Sequence, residues 1–406
     1  MDSENKLRLG VDLIGGDVSP LEVLKYSIPA LKKAARRNPN VVFYAAGPKE
    51  ILEKYLPRFP NINYIDARKS YNNNGDTTNL KGEKIDKSDD EIGTSIVQLI
   101  NKKKKREINA VFSSGNTGKL LSKAYKIGLI EGVDKPALMA ILPTHKRGQP
   151  SILLDVGATL EVTPYNLYQY AVMGAEFYNI IYGAKEPRVR ILNVGEERSK
   201  GTQLNLAAYK LLQSISGIKF TGYIEGKGGV FLGKSDVIVT SGEMGNLLIK
   251  SSEGAFYDLF QPIIKSEIKG NLFSLLGGIV STPGRLSARV KQRLSPDKYN
   301  GALFLGLKGI IVKGHSTSNR FAFYNGIENT IKYLNSGITR KIRDKFKDKN
   351  RLLELKKQYY EPFRPLSINK KIIQVKDKLL KQGYSIEQTN EIADIIRKVF
   401  TNSNIR

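Results

Sequence analysis

The sequence predicts an α/β fold in which a doubly wound, mainly parallel sheet is followed by a small α-helical appendage. Short apolar runs typical of buried strands alternate with stretches of helical periodicity from residue 7 to about residue 335. Glycine and polar residues cluster in the turns that follow the apolar runs. Beyond residue 336 the strand-like runs stop and basic, helical patterns replace them. Alternation of this kind is typical of parallel sheets covered by helices.

The individual elements follow in chain order. Strands are predicted over residues 7–14, 41–46, 62–67, 110–113, 152–156, 189–194, 220–224, 237–240 and 309–313. Helices are predicted over residues 20–37, 51–56, 92–105, 164–181, 204–215 and 318–335. The polar stretch 72–90 is expected to form a mobile loop. Because ligands of such sheets bind beyond the carboxyl ends of the strands, we expect the chemistry in the turns there.

Composition narrows the possible chemistry. Hydrophobic residues make up 40% of the 406 residues, enough for a packed interior. The chain has no cysteine, which excludes disulfides, thiolate metal sites and a cysteine nucleophile. The chain has two histidines, His145 and His315. With so few imidazoles, neither a histidine-based zinc site nor a Ser-His-Asp relay is expected. Neither G-x-G-x-x-G after the first strand nor G-x-x-x-x-G-K-[ST] occurs. We therefore expect no bound metal and no cofactor.

The formal net charge of +26 is the strongest compositional signal. It indicates an anionic partner such as nucleic acid, anionic lipid, an acidic protein or a phosphate-bearing substrate. The alternative is a lysine-rich proteome with basic exposed surfaces. The first residues form no apolar signal segment, and no apolar run approaches the roughly 20 residues of a membrane span. A cytoplasmic protein is therefore expected.

Three ranges organise the chain. Residues 1–336 are predicted to form the α/β domain. Within it, residues 253–294 form a helical stretch whose apolar residues alternate with Lys and Arg, which suits either a dimer core or a helix lying on an anionic membrane. Residues 337–406 are predicted to be a basic helical extension, with 15 Lys or Arg against five Asp or Glu between residues 337 and 381. Ser385 and Gln388 in this extension have capping-box spacing.

The turns carry a series of ordered motifs. They read V-D-L-I-G-G-D at 11–17, S-S-G-N-T-G at 113–118, D-K-P-A-L at 134–138, L-L-D-V-G-A at 153–158, P-R-V-R-I-L-N-V-G-E-E at 187–197, G-Y-I-E-G at 222–226 and V-K-G-H-S-T-S at 312–318. In order and spacing this series resembles the phosphate acyltransferase (PlsX) family, over residues 7 to about 335. The chain would be a divergent member with a C-terminal extension.

The resemblance implies a Rossmann-like sheet of the isocitrate and isopropylmalate dehydrogenase type. It also implies that inorganic phosphate attacks the thioester of acyl–acyl carrier protein, giving acyl phosphate for phospholipid synthesis. Such an enzyme would be a homodimer, associated peripherally with an anionic membrane. No acyl-enzyme is required, because phosphate supplies the nucleophilic oxygen. The protein must instead neutralise the phosphate and stabilise the oxyanion.

Ten residues are candidates for this site. The catalytic candidates are Lys200, Asn116 and His315, and the candidates for binding substrate or phosphate are Gly15, Gly16, Asp17, Thr117, Gly118, Gly201 and Asn246. Lys200 precedes Gly201 at a predicted helix start, where amides also attract anions. Other interpretations remain open: Lys200 as a solvated surface lysine, Asn116 and Asp17 as helix caps, and His315 as a structural histidine.

Several positions depart from the pattern of the resembled family. They are Val18, Thr159, Gly228, Ser241 and Asn319, where that family has histidine, asparagine or aspartate. These departures support an alternative function. The chain would then be a catalytically degenerate relative that serves as a basic scaffold, binding nucleic acid, membrane or a protein assembly through its tail.

Overall fold

A computed structural model describes residues 6–57, 59–85, 93–146, 148–214, 217–260, 262–263, 296–315, 318–360 and 368–402. Its main feature is one large sheet, which has eleven strands within these ranges. They are β1 Leu7–Asp12, β2 Val41–Gly47, β3 Ile62–Asp66, β6 Ala110–Ser113, β7 Ala137–Leu142, β8 Ser151–Leu154, β9 Arg188–Leu192, β10 Lys219–Ile224, β11 Val237–Val239, β12 Ala302–Leu305 and β13 Ile310–Lys313. A small hairpin consists of β4 Ser70–Tyr71 and β5 Thr77–Thr78, and β5 lies inside the stretch 72–90 that was predicted to be a loop.

The strand order is β10-β9-β11-β8-β7-β12-β13-β6-β1-β2-β3. Seven of the ten described pairings are parallel, which confirms the predicted α/β class with a mainly parallel sheet. The three antiparallel pairings are β12 with β13, β12 with β7, and β7 with β8. Strands β7 and β12 were not predicted from the sequence.

These three reversals divide the sheet into two parallel blocks that run in opposite directions. The first block contains β3, β2, β1, β6 and β13, and the second contains β8, β11, β9 and β10. The carboxyl ends of the two blocks therefore lie at opposite edges of the sheet.

The described helices surround the sheet. They are α1 Pro20–Arg37, α2 Lys49–Tyr55, α3 Ser95–Lys104, α4 Thr117–Ala124, α5 Pro164–Tyr182, α6 Gln203–Ser214, α7 Gly242–Gly254, α8 Arg320–Asn335, α9 Ile338–Lys345, α10 Lys349–Tyr359, α11 Ile368–Lys381 and α12 Ile386–Asn402. Helix α5 is largely buried and begins with a capping box between Thr163 and Asn166. One continuous apolar core fills both faces of the sheet.

The helices beyond residue 336 behave in two ways. Helices α9 and α10 pack on α5, and they bury Ile338, Ile342 and Leu352 in the main core. Helices α11 and α12 pack on each other, which confirms the predicted helical pair. The predicted capping box between them is also present, with Ser385 N–H donating to Gln388 Oε1 at 2.9 Å and Gln388 N–H to Ser385 Oγ at 3.2 Å. The boundary between units at residue 336 stays a prediction.

The stretch 253–294 lies mostly outside the described residues. Within the described part, α7 ends at Gly254 and continues as a π-helical turn, Ala255–Phe260. Leu259 and Ile263 are exposed there. The predicted helical structure of residues 264–294 falls outside the described ranges. Among the helices that are described, none has the length and apolarity needed to cross a bilayer.

Candidate active site

A cleft of about 1230 Å³ opens between the two blocks, along one side of β7. The turns after β1, β6 and β13 form one end, and the turn after β8 contributes to the other. Helix α7 forms a wall between them. Asn246, near its start, and Glu253, near its end, both line the cleft. About seven residues of helix span roughly 10 Å, so α7 connects the two ends of the site.

Asp12 organises the turn after β1. Its buried carboxylate accepts the N–H groups of Ile14 at 3.2 Å and Gly15 at 3.0 Å, and the Ser113 hydroxyl at 2.6 Å. Burial raises the pKa of Asp12, although these hydrogen bonds oppose the rise. Gly15 and Gly16 belong to this turn and are buried outside the cleft lining, whereas Asp17 lines the cleft.

Asp155 organises the turn after β8 in the same way. Its carboxylate is buried and accepts four backbone N–H groups, from Leu138 at 2.8 Å, Gly157 at 3.1 Å, Ala158 at 2.9 Å and Thr159 at 2.5 Å. Burial raises the pKa of Asp155 to about 6, and the four N–H donors oppose that rise. This side chain ties β7 to β8 beside the cleft.

Asp155→Ala should lower the free energy of unfolding by about 2–3 kcal/mol, because buried N–H donors are left without an acceptor. Chemical denaturation at pH 7 measures the difference. As a control, Asp344→Ala removes an exposed carboxylate whose ion pair with Lys347 lies on the surface, and should change stability by about 0.5 kcal/mol or less. Equal stabilities of the wild type and Asp155→Ala would contradict this role.

The turn after β6 brings three predicted residues into the cleft. Asn116 caps α4, accepting the Lys119 N–H at 2.9 Å through Oδ1. Its Nδ2 donates to the carbonyls of Asn72 at 3.3 Å and Asn73 at 2.9 Å. Thr117 and Gly118 form the first turn of α4 and line the cleft beside Asn116. The cap predicted as the alternative is therefore present, and it places a helix N-terminus at the cleft.

Lys313 is the residue that the sequence analysis missed. It ends β13, lines the cleft and is 8% exposed. Its Nζ donates to the carbonyls of Ser114, at 3.3 Å, and Gly314. No carboxylate of the described chain forms an ion pair with it. Burial lowers the pKa of Lys313 to about 8, with Lys250 lowering it further and Asp17, Asp12 and Glu253 opposing. The motif V-K-G-H at a strand end was the available signal.

His315 lies next to this lysine in the cleft. Its backbone N–H donates to Asn300 Oδ1 at 2.7 Å, and its Nε2 lies 3.2 Å from Glu253 Oε1. Lys250 forms an ion pair with Glu253, at 3.3 Å. Burial would raise the pKa of Glu253, but the contacts with His315 and Lys250 bring it below its usual value. The end of α7 is thereby connected to the turn after β13.

Lys200 and Gly201 follow β9, in the second block, and do not line the cleft. Lys200 Nζ donates to Glu197 Oε1 at 2.6 Å, and both side chains are more than half exposed. Asn193 holds the loop by donating from Nδ2 to the Lys200 carbonyl at 3.0 Å. The cleft thus brings together Asp17, Asn116, Thr117, Gly118, Asn246 and His315 but leaves Lys200 outside its lining. The roles of these residues stay predictions.

Part of the cleft wall is apolar. This surface comes from β7, the turn after β8, the loop after β10 and α7. Its residues are Leu138, Ala140, Ile141, Leu142, Val156, Phe231, Leu232 and Ile249. A binding site with a buried cation and an apolar wall suits a ligand that is anionic at one end and apolar at the other.

Comparison with known proteins shows to which family the chain belongs. The profile of a family described as "Fatty acid synthesis protein" matches residues 7–341. A protein of Thermosipho africanus named phosphate acyltransferase is 33% identical over 84% of this chain and 97% of its own length. The chain belongs to the phosphate acyltransferase family. The family resemblance predicted from the motifs is thereby confirmed.

Two further matches cover a similar share of the chain. The phosphate acyltransferase of Dictyoglomus thermophilum is 32% identical over 83% of this chain and 96% of its own length. The crystal structure of a branched-chain phosphotransacylase from Enterococcus faecalis V583 aligns with 80% of this chain and 98% of that chain, with a TM-score of 0.47 and 13% identity.

Three positions that depart from the family pattern have structural partners. Ser241 caps α7, its Oγ accepting the Met244 N–H at 3.3 Å. Asn319 caps α8, accepting two backbone N–H groups at 2.9 Å. Thr159 is buried, and its hydroxyl donates to the Pro136 carbonyl at 3.2 Å. Serine and asparagine are both favoured helix caps, so Ser241 and Asn319 have a structural role at the starts of α7 and α8.

Proposed function

We propose that this protein is an acyltransferase that forms acyl phosphate from acyl–acyl carrier protein and inorganic phosphate. One observation carries the proposal: a single cleft holds the buried cation of Lys313 and an apolar wall that can accommodate an acyl chain. Membership of the phosphate acyltransferase family supports the same reaction.

The proposed chemistry follows from the groups at the cleft. A phosphate oxygen attacks the thioester carbonyl, the C–O bond forms, the C–S bond breaks, and the carrier thiolate leaves and takes up a proton. Lys313 and the N-terminus of α4 would hold the phosphate, since both favour an anion. His315, held by Glu253, would donate a hydrogen bond to the carbonyl oxygen or the leaving sulfur.

The direct test uses the purified protein with acyl–acyl carrier protein and phosphate. Hydroxylamine trapping should detect acyl phosphate, formed in equal amount with free carrier and only when phosphate is present. Loss of the thioester without dependence on phosphate would indicate hydrolysis and contradict the proposal. An intact thioester after prolonged incubation would favour the alternative of a degenerate scaffold. The hydrogen bonds of Ser241, Asn319 and Thr159 give no separate support to that alternative.

Lys200→Ala should lower turnover by at least about tenfold, the scale of losing one charge contact to the transition state. The proposal rests on the position of Lys200 before Gly201 in the loop after β9, outside the cleft lining, where the charge of its ammonium would attract phosphate. Turnover and the KM for phosphate are the quantities to measure. The control is Lys210→Ala, which removes an exposed lysine of α6 without an ion pair among the described residues. Normal turnover of Lys200→Ala would mean that Lys200 is only a surface residue.

We further propose a homodimer that contacts an anionic membrane through residues 253–294. The exposed Leu259 and Ile263 support an apolar contact in that segment.

The basic C-terminal tail is proposed to bind a nucleic acid or protein partner. Because α9 and α10 pack on α5, a truncation that tests the tail should begin at residue 361 so that the core helices remain.

A further inference from the structure

A second concave site lies on the outer surface between α1 and the start of α8. It is a groove of about 380 Å³. Five basic residues and one proline line it: Pro29, Lys32, Lys33, Arg36, Arg37 and Arg320. We refer to it as the basic groove. Among the residues that the structure describes, none of the proposed catalytic site belongs to it and no carboxylate lines it.

Aromatic side chains orient three of these cations. Lys33 Nζ lies 4.0 Å from the centre of the Tyr324 ring, and Arg37 donates to the Tyr324 hydroxyl at 3.1 Å. The Arg36 guanidinium lies 5.5 Å from the centre of the Phe59 ring. Contacts of this kind hold a cation in place without neutralising its charge.

The cations of the basic groove form no ion pair with any carboxylate in the described ranges. The nearby Glu328 accepts a hydrogen bond from Asn38 Nδ2 at 3.0 Å instead. Five positive charges around one concave surface repel each other, and an anionic partner removes that repulsion. The three arginines offer planar forks that match carboxylates in geometry.

The basic groove is connected to the cleft through the cap of α8. Arg320 is the first residue of α8, and the preceding Asn319 donates from Nδ2 to Asp297 Oδ2 at 2.8 Å. Asp297 lines the cleft. A protein bound in the basic groove therefore sits beside the cleft, within reach for a flexible arm that carries an acyl thioester.

We propose that the basic groove is the docking surface for the acidic face of the acyl carrier protein. The inference rests on the proposed function, because that function requires a protein-linked thioester. A protein is favoured over a lipid surface because the groove is concave and lies between two helices. A protruding acidic helix can enter such a groove, whereas a flat bilayer contacts only its rim.

The test measures binding of holo acyl carrier protein without an acyl group, so it does not depend on catalysis. Arg36→Glu combined with Arg320→Glu should weaken binding at least tenfold at low salt and flatten its salt dependence. The matched control combines Lys185→Glu with Lys210→Glu, exposed lysines outside the groove that change the net charge equally. The control should bind almost as tightly as the wild type. If thermal unfolding shows that the variant with both glutamates is not folded, the variant that combines Arg36→Gln with Arg320→Gln replaces it.

Two additional measurements separate the possible outcomes. Turnover of a small soluble acyl thioester should be the same in the groove variants and the wild type, and binding to vesicles containing phosphatidylglycerol should not change. Unaltered affinity for the carrier, or an equal loss in the control pair, overturns the docking site. Lost vesicle binding with normal carrier binding overturns it in favour of a membrane contact. Carrier binding that depends on the groove in a protein without turnover would retain the docking site and refute the proposed reaction.

Discussion

Lys313→Met should lower the rate of acyl phosphate formation by about 10²–10³-fold, the loss expected when a preorganised charge contact to the transition state is removed. Methionine keeps nearly the length of the side chain while removing its charge. The variant should remain folded, since the buried ammonium stabilises the folded chain little. With a folded-state pKa of about 8 against an ordinary 10.5, Lys313 lowers stability fully below pH 8. That penalty disappears as pH rises towards 10.5, so methionine should be tolerated at pH 7.

The pH dependence of the rate gives a second measurement on the same residue. The wild-type rate at fixed phosphate concentration should decline as pH rises through about 8, because Lys313 loses its proton. Lys313→Arg keeps the charge and should move that decline to higher pH. If Lys313→Met retains more than half of the wild-type rate, the anion is held elsewhere and Lys200 becomes the stronger candidate.

Gly245→Ala should be the most destabilising substitution on the cleft wall, at about 4 kcal/mol. A Cβ at position 245 would lie 1.9 Å from the carbonyl oxygen of Asp155, a backbone atom that cannot move aside. Helix α7 would have to shift, and the contact between Glu253 and His315 at its far end would be lost with it. Chemical denaturation measures the stability, and the rate of acyl phosphate formation should fall in parallel.

Gly254→Ala is the matched control on the same helix. Among the described residues, the close neighbour of a Cβ there is Asp258 Oδ2, at 3.6 Å, which is an ordinary contact. Replacing glycine by alanine in a helix gains about 0.5–1 kcal/mol, so this variant should be at least as stable as the wild type. Similar stabilities for Gly245→Ala and Gly254→Ala would show that α7 does not pack closely against Asp155.

Periodicity was sufficient to predict the parallel strands and the helices that flank them. Helix α1 was predicted with its observed bounds, and α5 ends one residue beyond the prediction. Strands β7 and β12 were missed because a short apolar run such as Ala137–Leu142 does not distinguish a strand from a buried helical segment. Such a run also does not indicate the direction in which a strand pairs. Direction depends on pairing between residues far apart in the chain, here Leu303 with Met139.

The same limit explains the partial prediction of the site. Strand-end turns indicated Asn116, Asp17 and His315, which do lie around one cleft. Lys200 also follows a strand, but β9 is separated from β8 by β11, so its turn lies outside the cleft lining. Lys313 was passed over because a lysine at the end of a strand is usually solvated. Its burial results from the packing of β13 between β12 and β6, which a single sequence does not reveal.

The position of β12 and β13 at the centre of the sheet has a consequence for synthesis of the chain. These two strands join the two blocks, yet of the strands in the described ranges they are the last to leave the ribosome. Until residue 313 has emerged, β6 and β7 are both open edges, with rows of unpaired N–H and C=O groups that can template association between nascent chains. A protein cut short before residue 302 would keep two half-sheets that cannot join. Chaperone demand should therefore be greatest late in translation, just before the central strands insert.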